Sequence, residues 1–216
     1  MGSSFVFRII SATIRRVISL CYKIKFKRFG YKSYIRFPLQ IDGASNISIG
    51  KRVYVGYKAW LAALPLTGED KCLLEIGDDC TIGNFNHIYC TKSVILENGV
   101  LTADKVYISD NLHGYKDIHS YIKDQPILQN GEVVIGEGSW LGENVCILGA
   151  KIGKHCVIGA NSVVTKNIPD YCVAVGAPAR IIKRFNIESN EWIKENNLQT
   201  GGGGKKYIQS FTLSVA

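Results

Sequence analysis

The sequence predicts an all-β fold, a parallel β-helix wound from short strands. Three observations predict it. From Ile135 the chain reads Ile-Gly-Glu-Gly-Ser-Trp, Leu-Gly-Glu-Asn-Val-Cys and, after a short spacer, Ile152-Gly-Lys-His-Cys-Val and Ile158-Gly-Ala-Asn-Ser-Val. A branched aliphatic followed by Gly, with a small residue four places on, thus recurs every six residues. Such a short fixed period means one small backbone unit stacked many times. Second, the repeat reaches far upstream, at Ile49-Gly50, Val55-Gly56, Ile76-Gly77 and Ile82-Gly83, with weaker copies from Leu96, Thr102 and Ile108. Third, 22 glycines in 216 residues suit a fold made of corners. Coils stack at roughly 4.8 Å, the strand-pairing distance. The aliphatic points inward, Gly is expected to supply the backbone angles of a tight corner, and the small fifth residue fills the interior corner.

The elements follow in chain order, in a division of 1–40, 41–185 and 186–216. Phe5 to Phe29 has helical periodicity: Val6, Ile10, Ile14, Val17, Cys21 and Ile24 or Lys25 follow one face, Arg8, Arg15, Arg16, Ser19, Lys23 and Lys27 the other. Residues 1–41 hold nine of the 26 basic residues and no acid, which leaves 17 basic against 18 acidic residues elsewhere. The net charge of +8 therefore sits at the N-terminus. A basic amphipathic helix fits an anionic membrane surface. It equally fits a cap whose apolar face hides the open end of the β-helix. Nucleic-acid binding is disfavoured, because the aromatics belong to the apolar face and no nucleic-acid motif is present. Residues 41–185 carry the coils. Residues 62–73 and about 113–132 interrupt the repeat and read as loops, where a substrate pocket is built on a rigid scaffold. Ser189 is expected to cap a short helix running through Asn197. Gly201–Gly204 reads as a hinge, and the last residues as either a strand or a tail.

Seven scattered cysteines with no Cys-x-x-Cys pair argue against a disulfide framework and a structural zinc site, and for a reducing, cytoplasmic compartment. Cys80 and Cys156 occupy the small fifth position, so packing explains them. No signal peptide with a cleavage site and no apolar run of about 18 residues is visible.

The coils, and above all Trp140-Leu-Gly, Val-Ile-Gly-Ala-Asn-Ser-Val-Val-Thr-Lys-Asn-Ile-Pro and Val-Gly-Ala-Pro-Ala-Arg180, resemble the hexapeptide-repeat acyltransferases in their galactoside, maltose and polysaccharide O-acetyltransferase branch. The resemblance covers roughly residues 41–185. It implies a left-handed β-helix, acetyl-CoA as acyl donor, no metal, and a homotrimer with sites between subunits. Ile147 to Ile152 is five residues where the family has six, a shortening expected to shift backbone amides near the donor site.

Acyl transfer to a hydroxyl needs a base, and histidine titrates near the working pH. The stretch Ile108-Ser-Asp-Asn-Leu-His-Gly-Tyr resembles the family's Asp-His-Asn-His-Gly-Tyr, which implies that His113 is the base; Asn111 stands where the first family histidine would be. His87 is a lesser candidate for a substrate contact, while His119 and His155 read as loop and corner residues. Asn84, in Gly-Asn-Phe-Asn, resembles the acceptor-binding asparagine of galactoside O-acetyltransferase; the other reading is an asparagine ladder at a coil corner. The resemblance also implies that acetyl-CoA lies on Trp140, on amides around Gly142 and Ala160, and on Thr165, Lys166 and Arg180, with Lys183 and Arg184 adding charge for its phosphates.

The implied function is acetyl-CoA-dependent O-acetylation of a sugar hydroxyl, in surface-polysaccharide biosynthesis. Amino-sugar N-acetylation shares fold and donor. A γ-class carbonic anhydrase would need three converging histidines, and a structural hexapeptide protein would have no use for His113 beside Lys166 and Arg180. The acceptor, whether free, nucleotide-linked or lipid-linked, has no decodable motif.

Overall fold

A computed structural model describes residues 21–68 and 70–195. The predicted tail from residue 200 on, the segment 5–20 and the end of the predicted C-terminal helix lie outside these. Three sheets of six, nine and six strands form the walls of a three-faced prism, and a two-stranded hairpin stands off it. One coil places Leu73–Ile76 on the first face, Thr81–Ile82 on the second and His87–Cys90 on the third. The next coil follows with Ser93–Leu96, Leu101–Thr102 and Tyr107–Ser109. Neighbouring coils pair in parallel and in register, as in Leu61↔Ile88 and Ile108↔Ile147 on the third face. Parallel pairing already begins at Arg28–Phe29 against Ser48–Ile49.

The repeat aliphatics fill the prism. Ile49, Ile76, Leu96 and Ile135 stack on the first face, Val55, Ile82, Leu141 and Ile158 on the second, all fully buried. Each contributes about 1.5–3 kcal/mol by leaving water. The small fifth residues lie inside the corners: Cys80 and Cys156 are buried and donate to Glu97 O and Pro169 O, each at 3.0 Å.

The glycine of the repeat has a different job from the expected one. Left-handed backbone falls two residues later, at Arg52, Lys58, Asp79, Phe85, Asn144 and Asn161. Gly83 itself lies under the next coil, where an added Cβ would come 2.2 Å from Ala103 O. Close approach of coils, rather than a positive φ, selects glycine there.

Both interruptions leave the prism at the same edge, between the third and first faces. One spans the chain between Ala63 and Leu73, the other between Ser109 and Val133. The second is partly ordered: Asn111–His113 pairs antiparallel with Ile127–Gln129. The five-residue spacing at Ile147–Ile152 falls on this same edge. Lys151–Ile152 still pairs with Val134–Ile135, and Val157–Ile158 with Trp140–Leu141. The strand register on the first and second faces is thus kept beyond the short corner.

Two end elements differ from expectation. Residues 21–25 are helical, but the helix stops there and Arg28–Phe29 is a strand. Tyr22 and Phe26 pack with Phe29 at ring separations of 5.4 and 5.5 Å and join the core. Cys21 and Ile24, assigned to the apolar face, are exposed. The predicted helix from Ser189 is instead the turn and second strand of a hairpin, Arg180–Asn186 with Glu191–Lys194. It extends the sheet edge offered by Cys172–Val175. Asn186 Oδ1 accepts from the Glu188 N–H at 2.9 Å and Asn190 adopts φ 55°, which makes a turn where a helix cap was expected.

Candidate active site

His113 ends the strand Asn111–His113, opposite Ile127, with its imidazole exposed and engaged by no hydrogen bond among the described residues. The hairpin that carries it is pinned at its base by Asp110, a fully buried carboxylate. Asp110 accepts from the N–H groups of Thr91, Lys92 and Ser93 at 2.8, 2.7 and 2.9 Å, and from Thr91 Oγ1 at 3.0 Å. Gln129, on the partner strand, donates to Asp110 O at 2.7 Å, and its Oε1 accepts from Thr67 Oγ1 at 3.1 Å. The two predicted loops therefore meet through Gln129. Sequence reasoning missed Asp110, Thr91 and Gln129; an aspartate beside the Asn-Leu-His motif is their one local signal.

The other histidines are placed differently. His87 projects from the third face and stacks on Trp60 at 4.2 Å, with Tyr107 at 5.2 Å. Burial lowers its pKa, and its buried Nε2 finds no hydrogen-bond partner among the described residues, so the neutral ring is favoured inside an aromatic ladder. His155 stacks on Tyr171 at 5.9 Å at a corner. His119 lies on the exposed loop, its backbone N–H bound to Asp117.

Asn84 lies on the edge between second and third faces. Its Nδ2 donates to both Asp104 oxygens at 3.1 Å and its Oδ1 accepts the Tyr57 N–H at 2.9 Å. The two bonds from Asn84 Nδ2, with the one from the Asn84 N–H, hold the Asp104 carboxyl below the usual carboxylate range. Within one chain Asn84 is thus a rung of a corner ladder, on a different edge from His113.

The ladder ends where the donor residues begin. Further along the same edge the corner residues are Glu143 and Ala160, whose N–H groups find no acceptor among the described residues. Gly142 differs: its N–H donates to Ile158 O at 2.8 Å and is not free for a ligand. Nearby, Trp140 presents its ring on the second face, 46% exposed. The turn Gly176–Ala179 is tied to Val163 through bonds of 3.0 and 2.9 Å, which brings Arg180 to this end of the prism. Thr165 and Lys166 lie on the third-to-first edge, exposed. Arg184 is committed elsewhere, to Glu195 at 3.0 Å.

Comparison with known proteins bears on this geometry. The family profile described as the hexapeptide repeat of succinyl-transferase matches residues 132–166. WbbJ of Escherichia coli K12, named for O-acetyl transfer in lipopolysaccharide biosynthesis, is 36% identical over 167 residues, 74% of this chain and 83% of that protein. The chain belongs to the hexapeptide-repeat acyltransferases, in their O-acetyltransferase branch. Galactoside O-acetyltransferase of Escherichia coli K12 is 30% identical over 76% of this chain and 66% of its own length. The solved structure of NeuO, a polySia-specific acetyltransferase, superposes with a TM-score of 0.57 at 27% identity, covering 70% of this chain and 63% of that one. The hexapeptide-repeat chain is an acyltransferase, and the corners that carry Trp140, Gly142 and Ala160 lie inside the matched profile.

Proposed function

We propose that the protein transfers acetyl from acetyl-CoA to a sugar hydroxyl, in surface-polysaccharide biosynthesis. One observation carries this reading: His113 is an exposed imidazole, unengaged among the described residues, on a hairpin locked to the prism by Asp110 and Gln129. In this reading His113 takes the proton of the acceptor hydroxyl. The oxygen attacks the thioester carbonyl, and the tetrahedral oxyanion is met by an N–H donor of the Glu143–Ala160 edge. The carbon–sulfur bond then breaks and the CoA sulfur leaves with the proton from His113. Ala160 replaces Gly142 as the preferred backbone donor. Trp140 packs on the pantetheine arm, and Arg180 binds the nucleotide end together with Thr165 and Lys166 of the neighbouring protomer, since these two lie on the third-to-first edge.

His113 and the Glu143–Ala160 amides occupy different edges of one chain. A cyclic trimer joins them by setting the hairpin of one protomer against the second-to-third edge of its neighbour; Asn84, on that edge, would then face the acceptor. We assign the coils a left hand, as the family resemblance implies. In functional terms residues 41–185 hold the transferase, 1–40 are the basic segment and 186–216 the C-terminal segment, in a protein that works in the cytoplasm, at the inner face of a membrane.

The test is thiol release from acetyl-CoA across sugars, nucleotide sugars and lipid-linked glycans. His113→Ala is expected to lose acceptor-dependent release by about 10²- to 10⁴-fold with an unchanged thermal midpoint. A variant that keeps near-full activity would remove His113 from the mechanism.

A further inference from the structure

The described basic end of the prism carries two features that the acyltransferase reading leaves unused. Around the terminal coil, Ile24, Tyr31, Phe37 and Leu39 are exposed by 82, 67, 62 and 63%. They stand at successive points of its circumference: the helix end before the first face, the corner before Tyr34–Ile35, and the corner before Gln40–Asp42. Phe37 holds φ 42° there, a left-handed position that a bulky side chain occupies rarely. At the equivalent corner of later coils stand Lys58, Phe85, Lys105, Asn144 and Asn161, and Phe85 is 48% exposed against 62% for Phe37.

Charge is the second feature. Lys23, Lys25, Lys27, Lys32 and Arg36 are exposed on the same rim, and none has an acidic partner among the described residues. Of the acids on the first coils, Glu75 pairs with Arg28 at 3.1 Å, and Asp42 accepts from Trp60 Nε1 at 2.8 Å. No described helix is long and apolar enough to cross a membrane. Lys32 lies over the Tyr31 ring at 5.4 Å and Arg36 over Tyr57 at 5.9 Å, which leaves their charge unneutralised; apolar tips ringed by cations without acidic partners match the chemistry of an anionic bilayer surface, where side chains enter the headgroup boundary and lysines meet phosphate.

We propose that the terminal coil docks end-on onto an anionic lipid bilayer, with Ile24, Tyr31, Phe37 and Leu39 as the inserted tips. The contact is a rim of the β-helix itself, beyond the basic helical segment that precedes it. It rests on the acyltransferase reading for its purpose alone, since binding is read without any turnover.

The full chain is mixed with vesicles of phosphatidylcholine, and of phosphatidylcholine with phosphatidylglycerol, and sedimented. Binding is expected to the anionic vesicles, to weaken with salt, and to fall about tenfold or more in partition when Tyr31→Ser, Phe37→Ser and Leu39→Ser are combined. The three side chains are exposed, so the thermal midpoint serves as the folding control, and the single variant Leu39→Ser is expected to give a smaller loss if the combination misfolds. Absence of wild-type binding would overturn the proposal. So would undiminished binding of the folded triple variant, which would assign the contact to residues 1–20. A triple variant altered in oligomeric state but not in vesicle binding would mark the rim as a protein interface and equally end the lipid reading.

Discussion

Cys80 and Cys156 show how one repeat position decides the chemistry of a side chain. Each thiol is enclosed by the next coil and donates to a carbonyl. Burial pushes Cys80 up to about 11 and Cys156 up to about 12, against 9.0 in a free chain. These thiols are unreactive packing atoms, since the thiolate is the nucleophile. The unfolded chain ionises them first, so their contribution to stability is complete below about pH 9 and is lost as pH rises through about 11 to 12. Titration of the native chain with an aromatic disulfide at pH 8 is expected to modify exposed Cys21 rapidly, and Cys80 and Cys156 only on unfolding. Rapid native-state labelling of Cys80 would contradict the packing. The spacing alone showed that these two cysteines face inward. By contrast, the motif around His113 set it apart from His87 in the sequence, while the aromatic neighbours of His87 and the open hairpin of His113 are visible only in the structure.

At the scale of elements, the hairpin of His113 depends on a buried charge. Asp110 sits where the chain leaves the third face, and three consecutive N–H groups of the corner beneath converge on its carboxylate. Asn at this position would turn an amide donor toward those N–H groups. Asp110→Asn is expected to cost about 1.5–3 kcal/mol in denaturant unfolding, the range for hydrogen bonds to a charged group, and to lower kcat by loosening His113. An unchanged midpoint would show that the corner is satisfied in another way. The interruptions themselves were legible as breaks of the six-residue period. Their meeting through Gln129 and Thr67 was not, because it joins residues 62 positions apart. The same limit explains the C-terminal hairpin: Ser189 followed by Glu191 is a reasonable local helix start, but the open edge of Cys172–Val175 offered unpaired backbone groups, and pairing with them overrode the local preference.

For the whole molecule, the arrangement of edges sets the demand for partners. A solenoid stacks in one dimension, so residues on different edges of a chain remain separated whatever the coil number. His113 leaves from the third-to-first edge and Ala160 lies on the second-to-third edge. Sedimentation equilibrium is therefore expected to give three times the chain mass. Mixing His113→Ala with a variant that blocks the groove, Ala160→Trp, is expected to restore activity through hybrid trimers. A monomer with full turnover would refute the shared site. The sequence by itself determined the period, the inward aliphatics, the small corner residues and the concentration of positive charge at one end, because each follows from spacing along the chain. The tertiary structure decided which edge each break leaves from, which amides remain free, why the repeat glycines are required and which N-terminal residues face outward. Those depend on what the neighbouring coil places 4.8 Å or so away, and no local pattern carries that information.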